Sequence, residues 1–131
     1  IYSNFYGTPK GPVMKYLEEG SDVILEIEMQ GARQVKEMYP EAVLIFVLPP
    51  SLEELRNRLT TRGTETQEQV NERLSTSFEE IKQVKDYNYF IFNENNKTTE
   101  SAMIIENLIV AEKNKASRYE KAIIKKFEEE L

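Results

Sequence analysis

The chain has 131 residues, of which 40% are hydrophobic and 31% charged, the composition of one ordinary globular domain. It has no cysteine and no histidine, which excludes disulfide bonds, thiolate or imidazole metal sites, and serine–histidine or cysteine–histidine catalysis. The formal net charge of −6 is a poor match to nucleic-acid-binding modules. No apolar run approaches the length of a membrane span and no signal-peptide pattern opens the chain, so we expect a cytoplasmic protein.

The first predicted elements are a turn and a short helix. Gly7 and Pro9 favour a turn directly after Tyr6. Such a turn would present the Tyr6 hydroxyl to a ligand, although a packed aromatic side chain explains Tyr6 equally well. Pro12 suits the first position of a helix, and Gly20 would end that helix.

The next stretch predicts a strand that turns into a helix. The apolar run that begins at Val23 is typical of a strand buried on both faces, and a helix follows from Met29 to about Met38. Glu26 and Glu28 are two residues apart, so in a strand both point to the same side. We expect these carboxylates at the carboxyl edge of an α/β sheet, where ligands bind. Solvated acids at a strand end are the simpler alternative.

A second apolar run, Ala42–Leu48, follows Pro40 and predicts another strand. A strand, a helix and a strand in this order form a βαβ unit, so we expect the two strands to be parallel. Pro49 and Pro50 end the second strand, and Ser51–Glu54 fits a capping box. The helix that it opens has an apolar stripe of Leu52, Leu55 and Leu59.

A polar, glycine-containing segment separates this helix from the next one. Thr66–Gln69 fits another capping box and opens a long helix. Arg58, Arg62 and Arg73 flank the glycine, Gly63. A solvated surface explains exposed arginines equally well, but a mobile lid that brings guanidinium groups onto phosphates fits their forked donors. The predicted apolar face of the long helix contains Val70, Leu74, Phe78, Ile81 and Val84.

The last third of the chain predicts a strand and two helices. Tyr87–Phe92 alternates as a strand does, and a polar turn begins at Asn93. Ser101–Val110 predicts a helix whose inward side chains are Ile104, Ile105 and Leu108. The terminal segment predicts an amphipathic helix whose stripe must pack on the domain or on a partner. That stripe consists of Ala116, Tyr119, Ile123, Phe127 and Leu131.

The order of these segments resembles guanylate kinase, the P-loop enzyme that phosphorylates GMP from ATP. The resemblance covers residues 1 to about 112 in five pieces that occur in register. These are Asn4–Pro9, Asp22–Gly31, Pro49–Ser51, Arg62–Glu65 and the turn at Asn93. It implies an α/β fold: part of a P-loop kinase parallel sheet with flanking helices, a lid loop at about 60–72 and an extended C-terminal helix. We expect three divisions of the chain. Residues 1–20 contain the end of the GMP-binding region and the following helix, residues 21–112 form the core, and residues 113–131 form the helical extension.

The resemblance also implies the GMP-binding residues. Tyr6 would bind the GMP phosphate, and Thr8 would contact the guanine base. Glu28, where the family usually has Asp, would accept hydrogen bonds from guanine N–H groups and so select guanine over adenine. Glu26 would lie near the phosphates and near a hydrated Mg²⁺ ion that arrives with ATP, without ligating the metal directly.

On the ATP side, the resemblance implies roles for the lid and for the polar turn. Arg58, Arg62 and Arg73 match the catalytic lid arginines, which neutralise the transferring phosphoryl group. Asn93 lies where the family closes over adenine. GMP and ATP are therefore the expected small-molecule partners, with Mg²⁺ as the cofactor and no nucleic acid or membrane.

The chain departs from the family because it contains no G-x-x-x-x-G-K-[ST] motif. It also begins at Ile1 without a methionine, and we expect a fragment that cannot catalyse transfer alone. An absent neighbouring strand would expose the edge of Val23–Glu28, which favours a homo-oligomer or strand exchange. Two alternatives stay open: a non-catalytic guanylate-kinase-like interaction domain, and a folded α/β fragment without activity.

Overall fold

The computed structural model describes residues 10–94 and 96–131, and these form the expected mixture of helices and a small parallel sheet. The chain divides between Leu44 and Ile45 into two compact units, which are described separately below. The elements in chain order are α1 (Lys10–Glu18), α2 (Met29–Met38), β1 (Ile45–Leu48), α3 (Leu52–Arg62), α4 (Gln67–Ile81), a 3₁₀ helix (Lys82–Asp86), β2 (Tyr89–Phe92), α5 (Thr98–Lys113) and α6 (Ala116–Glu128).

In the first unit, α1 ends at Glu18, and Gly20 forms the turn that stops the helix, as predicted. Gly20 has a φ of +89°, a left-handed conformation that suits glycine. The Gly20 N–H donates to the Leu17 carbonyl oxygen at 3.0 Å, and the Ser21 N–H donates to the Tyr16 carbonyl oxygen at 2.9 Å. This pair of hydrogen bonds is a Schellman motif, so local turn chemistry terminates the helix.

The predicted strand over Val23–Glu28 is wrong for the part of the chain that the structure describes. A strand needs hydrogen bonds to a neighbouring strand, and no described segment pairs with this one. Burial on both faces is also wrong, because the Ile24 side chain is 72% exposed. Exposure alternates along the segment, and Glu26 and Glu28 both occupy exposed positions. The half-buried positions are Val23, Leu25 and Ile27.

In the second unit, β1 pairs with β2 in parallel. The register runs from Ile45 opposite Tyr89 to Leu48 opposite Phe92. The predicted βαβ unit, with a strand at Val23 parallel to β1, is therefore wrong for the described residues, because no strand forms at Val23 there. Both strands are also shorter than predicted, because the described ladder joins only these four pairs of residues.

Side-chain caps fix the starts of α3 and α4, and a glycine ends α3. The Ser51 hydroxyl oxygen accepts from the Glu54 N–H at 2.9 Å and begins α3. Gly63 ends α3 with a φ of +68°. Thr66 and Gln69 form the predicted capping box at the start of α4, with hydrogen bonds of 3.1 and 2.9 Å. These helix starts were readable from sequence because each cap involves residues three apart.

A small apolar cluster joins α3 to α4. Its buried members are Leu59, Val70 and Leu74, and Leu55 packs against them. Predicted burial fails at the ends of both helices, because Leu52 is 36% exposed and Phe78 is 48% exposed. Neither residue belongs to the buried cluster, which lies along the facing middle parts of the two helices.

The apolar faces of α5 and α6 are only partly buried. Ile104 of α5 was predicted to face inward but is 45% exposed, whereas Ile105 and Leu108 are half-buried. The predicted terminal helix is confirmed as α6, yet Tyr119 and Phe127 on its stripe remain 43% and 59% exposed among the described residues. Within that same part of the chain, no helix is long and apolar enough to cross a membrane.

Candidate nucleotide site

Glu28 begins α2 and uses its carboxylate to cap that helix. One carboxylate oxygen, Oε1, accepts from the Gly31 N–H at 2.6 Å, and the other, Oε2, accepts from the Gln30 N–H at 3.1 Å. Glu28 has an extended backbone (φ −76°, ψ 173°), as an N-cap residue requires. The positive end of the helix dipole also favours a carboxylate here. The side chain is therefore both exposed and held by its own helix.

The approach of Glu28 to α2 depends on the absence of a side chain at Gly31. A Cβ atom built on Gly31 would lie 2.9 Å from the Glu28 Oε1 atom, closer than real Cβ atoms come. The next nearest atoms, on Ile27, would be at 3.5 Å, which is ordinary van der Waals contact. A carboxylate offers about four lone-pair positions, so two hydrogen bonds to α2 leave acceptor capacity for a ligand.

Glu26 lies two residues before Glu28, and its side chain is exposed. Among residues 10–94 and 96–131, no group of three acidic side chains could cage a metal ion. Mg²⁺ commonly keeps several waters and binds proteins through one or two carboxylates together with substrate phosphates. A single exposed carboxylate at Glu26 therefore fits a hydrated Mg²⁺ ion that is carried by a nucleotide.

Two of the predicted lid arginines lie on α3. Arg58 and Arg62 are four residues apart, one helical turn, so they share a face of α3. The Arg58 Nε atom forms a loose ion pair with Glu54 Oε1 at 3.7 Å, and both side chains are about one-third exposed. Arg62 is the last residue of α3 and is exposed directly before Gly63.

The third arginine, Arg73, is exposed on α4 three residues after the buried Val70. Packing of α3 on α4 fixes the two helices that carry the arginines. The Arg56 Nη1 atom also donates to Asn71 Oδ1 at 3.0 Å, which is a direct link between the helices. Within the described residues, neither Arg62 nor Arg73 forms an ion pair.

Of the remaining predicted site residues, one lies within the described part of the chain and two lie outside it. Asn93 follows β2, and its backbone N–H donates to the Leu48 carbonyl oxygen at 2.7 Å, which fixes the start of the polar turn. The Asn93 side chain is exposed. Tyr6 and Thr8 lie outside the described residues. The carboxylates belong to the first unit, and the arginines and Asn93 belong to the second.

Sequence reasoning missed a buried polar cluster at the junction of β2, α5 and α6. Glu112 is only 8% exposed, accepts a hydrogen bond from the Tyr89 hydroxyl, and pairs with Arg118 Nη2 at 2.8 Å. A signal existed, because Glu112 continues the inward i, i+3, i+7 spacing of Ile105 and Leu108. An acid at an inward position indicates a buried partner.

The cluster perturbs both of its titratable members in opposite directions. The hydrogen bond from Tyr89 lowers the pKa of Glu112 below its ordinary value, and Arg118 lowers it further, against the opposing effect of burial. The same hydrogen bond raises the pKa of Tyr89 above its ordinary value. The pair is thus held as a carboxylate and a neutral phenol. The cluster joins three elements of the second unit, and it has a structural role.

Comparison with known proteins assigns the chain to a family. A model of the guanylate kinase family matches residues 1–112. A guanylate kinase from Clostridioides difficile (strain 630) is 63% identical over all 131 residues, which cover 63% of that relative. A guanylate kinase from Clostridium tetani (strain Massachusetts / E88) is 47% identical over 124 residues, covering 95% of this chain and 59% of the relative.

The chain therefore belongs to the guanylate kinase family. It spans about three fifths of the length of the curated relatives that it matches. The match to the family model ends near the end of α5, so α6 lies beyond it. The resemblance seen in the sequence is confirmed, and the family is a family of kinases.

Proposed function

We propose that the chain carries the guanine-reading and lid parts of a guanylate kinase, which transfers a phosphoryl group from ATP to GMP and forms ADP and GDP. This is a reaction of purine nucleotide metabolism. The observation that supports it best is the exposed Glu28 carboxylate, which two α2 amides hold in place. The proposed reaction is inferred from family membership, and the proposed selectivity for guanine is inferred from the Glu28 carboxylate.

Glu28 would select guanine through the donor pattern of the base. Guanine presents N1–H and an exocyclic amine on its Watson–Crick edge, and a carboxylate only accepts hydrogen bonds. Adenine presents an unprotonated N1 at the corresponding position, which a carboxylate repels. Because two of the acceptor positions of Glu28 already bind Gln30 and Gly31, the remaining ones have a fixed direction, and we propose that a guanine base donates to them.

The arginines of the second unit would serve the phosphates. Arg58, Arg62 and Arg73 lie on two helices that a shared apolar cluster holds together, with Arg62 adjacent to the Gly63 turn. Guanidinium groups in this setting can neutralise charge that is spread over the oxygens of a transferring phosphoryl group. Glu26 would hold the hydration shell of a Mg²⁺ ion bound with ATP, and that ion would supply neutralisation of the phosphate charge.

The other assigned roles stay predictions of the same proposal. Tyr6 would bind the GMP phosphate, Thr8 would contact guanine, and Asn93 would border the adenine of ATP. The printed sequence has no G-x-x-x-x-G-K-[ST] loop, the part that cradles the ATP phosphates in P-loop enzymes. The 131 residues are therefore expected to bind GMP more readily than ATP, and to lack turnover on their own.

Isothermal titration calorimetry with GMP, AMP and ATP tests the proposal. We expect GMP to bind at least about tenfold more tightly than AMP, and the Glu28→Gln variant to lose that preference, because its amide opposes the guanine donors. Glu37→Gln makes the same charge change at an exposed position of α2 and should bind as the wild type does. Equal binding of GMP and AMP by the wild type would contradict the proposal.

Two further measurements separate the alternatives. A coupled nucleotide kinase assay is expected to show no GMP- and ATP-dependent turnover by this chain, and measurable turnover would refute the predicted inactivity. A phosphopeptide that binds where GMP does not would favour the non-catalytic interaction domain instead. Self-association through Val23–Glu28 stays a prediction, and a monomer in light scattering would contradict it.

A further inference from the structure

We propose that Gly31 is a positioning residue for Glu28: its missing side chain lets α2 fix the carboxylate in the direction that reads guanine. The inference rests on the proposed function, in which Glu28 recognises GMP. It goes beyond that function because it assigns substrate selectivity to a residue that itself touches no substrate.

The first step is the distance between the two groups. Glu28 Oε1 lies 2.6 Å from the Gly31 nitrogen, the shorter of the two hydrogen bonds to α2. A Cβ atom on residue 31 would lie 2.9 Å from the same oxygen. Any other amino acid at this position would therefore displace the carboxylate while leaving the backbone of α2 in place.

The second step is that nothing else at this position calls for glycine. Gly31 lies inside α2, and it is absent from the glycines with positive φ, which among the described residues are Gly20 and Gly63. Helical positions favour alanine over glycine. The atoms of Ile27 that a Cβ atom would meet are at ordinary contact distance. The Glu28 carboxylate is the nearest group that a side chain at residue 31 would meet, and as the far end of a flexible side chain it is the group that would move.

The third step is the effect of the anchor on recognition. A glutamate side chain has one more rotatable bond than an aspartate and loses more freedom when it is fixed. An anchored carboxylate has already lost that freedom before a ligand arrives, so binding is tighter than it is to a mobile one. Gly31 thus makes the longer side chain behave as a preorganised acceptor, provided that Oε1 stays on its amide.

The test compares Gly31→Ala with two matched variants by GMP and AMP calorimetry and thermal unfolding. Gly31→Ala should fold as the wild type does, because alanine suits α2, but should bind GMP about tenfold more weakly, the equivalent of one charge-assisted hydrogen bond. Gly11→Ala places the same methyl group in α1, where nothing lies within 4 Å, and should leave GMP affinity unchanged. AMP binding should not respond to either substitution.

Rescue distinguishes positioning from a merely structural effect. The double variant Gly31→Ala with Glu28→Asp should recover GMP affinity, because a shorter carboxylate withdraws from the added methyl group and still caps the helix. A structural defect at residue 31 would not be repaired by changing residue 28.

Each outcome decides between the two claims. Unchanged GMP affinity in Gly31→Ala, with selective GMP binding by the wild type, overturns the role of Gly31 and leaves the proposed function intact. Absence of GMP binding by the wild type contradicts the proposed function and removes the role of Gly31 with it.

Discussion

Glu28 and Glu112 are both hydrogen-bonded carboxylates, but they lie in regions of opposite character. Glu28 is exposed, and its partners are backbone amides two and three residues away. Glu112 is 8% exposed, and its partners are Tyr89 and Arg118, on β2 and α6. The first carboxylate is held by local structure, whereas the second holds distant elements together.

The difference teaches where recognition and stability reside in this chain. A carboxylate that is satisfied locally keeps acceptor positions open to solvent, so it can bind a ligand without a change in tertiary structure. A buried carboxylate must form its hydrogen bonds and ion pairs within the protein, so its replacement leaves the partner groups without an acceptor. We therefore expect substitutions of buried residues within 45–131 to change unfolding free energies, and substitutions at the start of α2 to change ligand binding.

The largest effect on stability is expected at the apolar cluster of the second unit. Leu59 is 4% exposed between Val70 and Leu74, so Leu59→Ala should lower the free energy of unfolding by about 2–5 kcal/mol. Leu52→Ala removes the same atoms from the same helix at a position that is 36% exposed. Chemical denaturation should show a much smaller loss for Leu52→Ala, and equal losses would contradict the assigned core.

The next largest effect is expected at Glu112. Glu112→Ala should lower the free energy of unfolding by about 1–3 kcal/mol, because Tyr89 and Arg118 lose their common acceptor. Glu106→Ala makes the same change at an exposed site on α5 and should be near neutral. If denaturant midpoints for the two variants coincide, the junction of β2, α5 and α6 does not depend on Glu112.

The pH dependence of stability should identify the same carboxylate. Because the pKa of Glu112 is lowered in the folded chain, its contribution is complete above the ordinary value of 4.5 and is lost as the pH falls through the folded pKa. The stability difference between the wild type and Glu112→Gln should therefore shrink as the pH falls below 4.5. A difference that stays constant down to the acid transition would mean that folding does not lower the pKa of Glu112.

The smallest stability effect is expected at Glu28. Glu28→Ala removes an N-cap and should lower the free energy of unfolding by about 1 kcal/mol, since the freed amides of α2 can bind water. GMP binding should nevertheless be lost, which is the reverse of the behaviour expected for Glu112→Ala. Thermal unfolding and GMP calorimetry on both variants give a direct comparison. If Glu28→Ala lowers the free energy of unfolding as much as Glu112→Ala does, the distinction between the two carboxylates is contradicted.

Sequence patterns predicted the features that depend on neighbouring residues. The capping box at Thr66–Gln69, the helix stop at Gly20 and the bounds of α2 at Met29 and Met38 all agree with the structure. Each depends on hydrogen bonds between residues a few positions apart, so the local sequence contains the necessary information.

Features that depend on distant residues were not predicted as well. The run from Val23 to Leu25 is as apolar as β1, but a strand forms only where another segment supplies hydrogen bonds. Among the described residues, only Tyr89–Phe92 does so for β1. The Tyr89–Glu112 contact joins residues 23 positions apart, which no short window contains. Similarly, the sequence predicted a ligand-binding carboxylate at Glu28. Its hydrogen bond from the Gly31 amide became visible only with the geometry of α2.

Amide NMR of the wild-type chain during titration with GMP tests the central claim most directly. The Gln30 and Gly31 amides bind the carboxylate that is assigned to guanine, so both signals should shift as GMP is added. AMP at the same concentrations should leave them in place. Signals that do not respond to GMP, or that respond equally to AMP, would contradict the assignment of Glu28 as the residue that reads guanine.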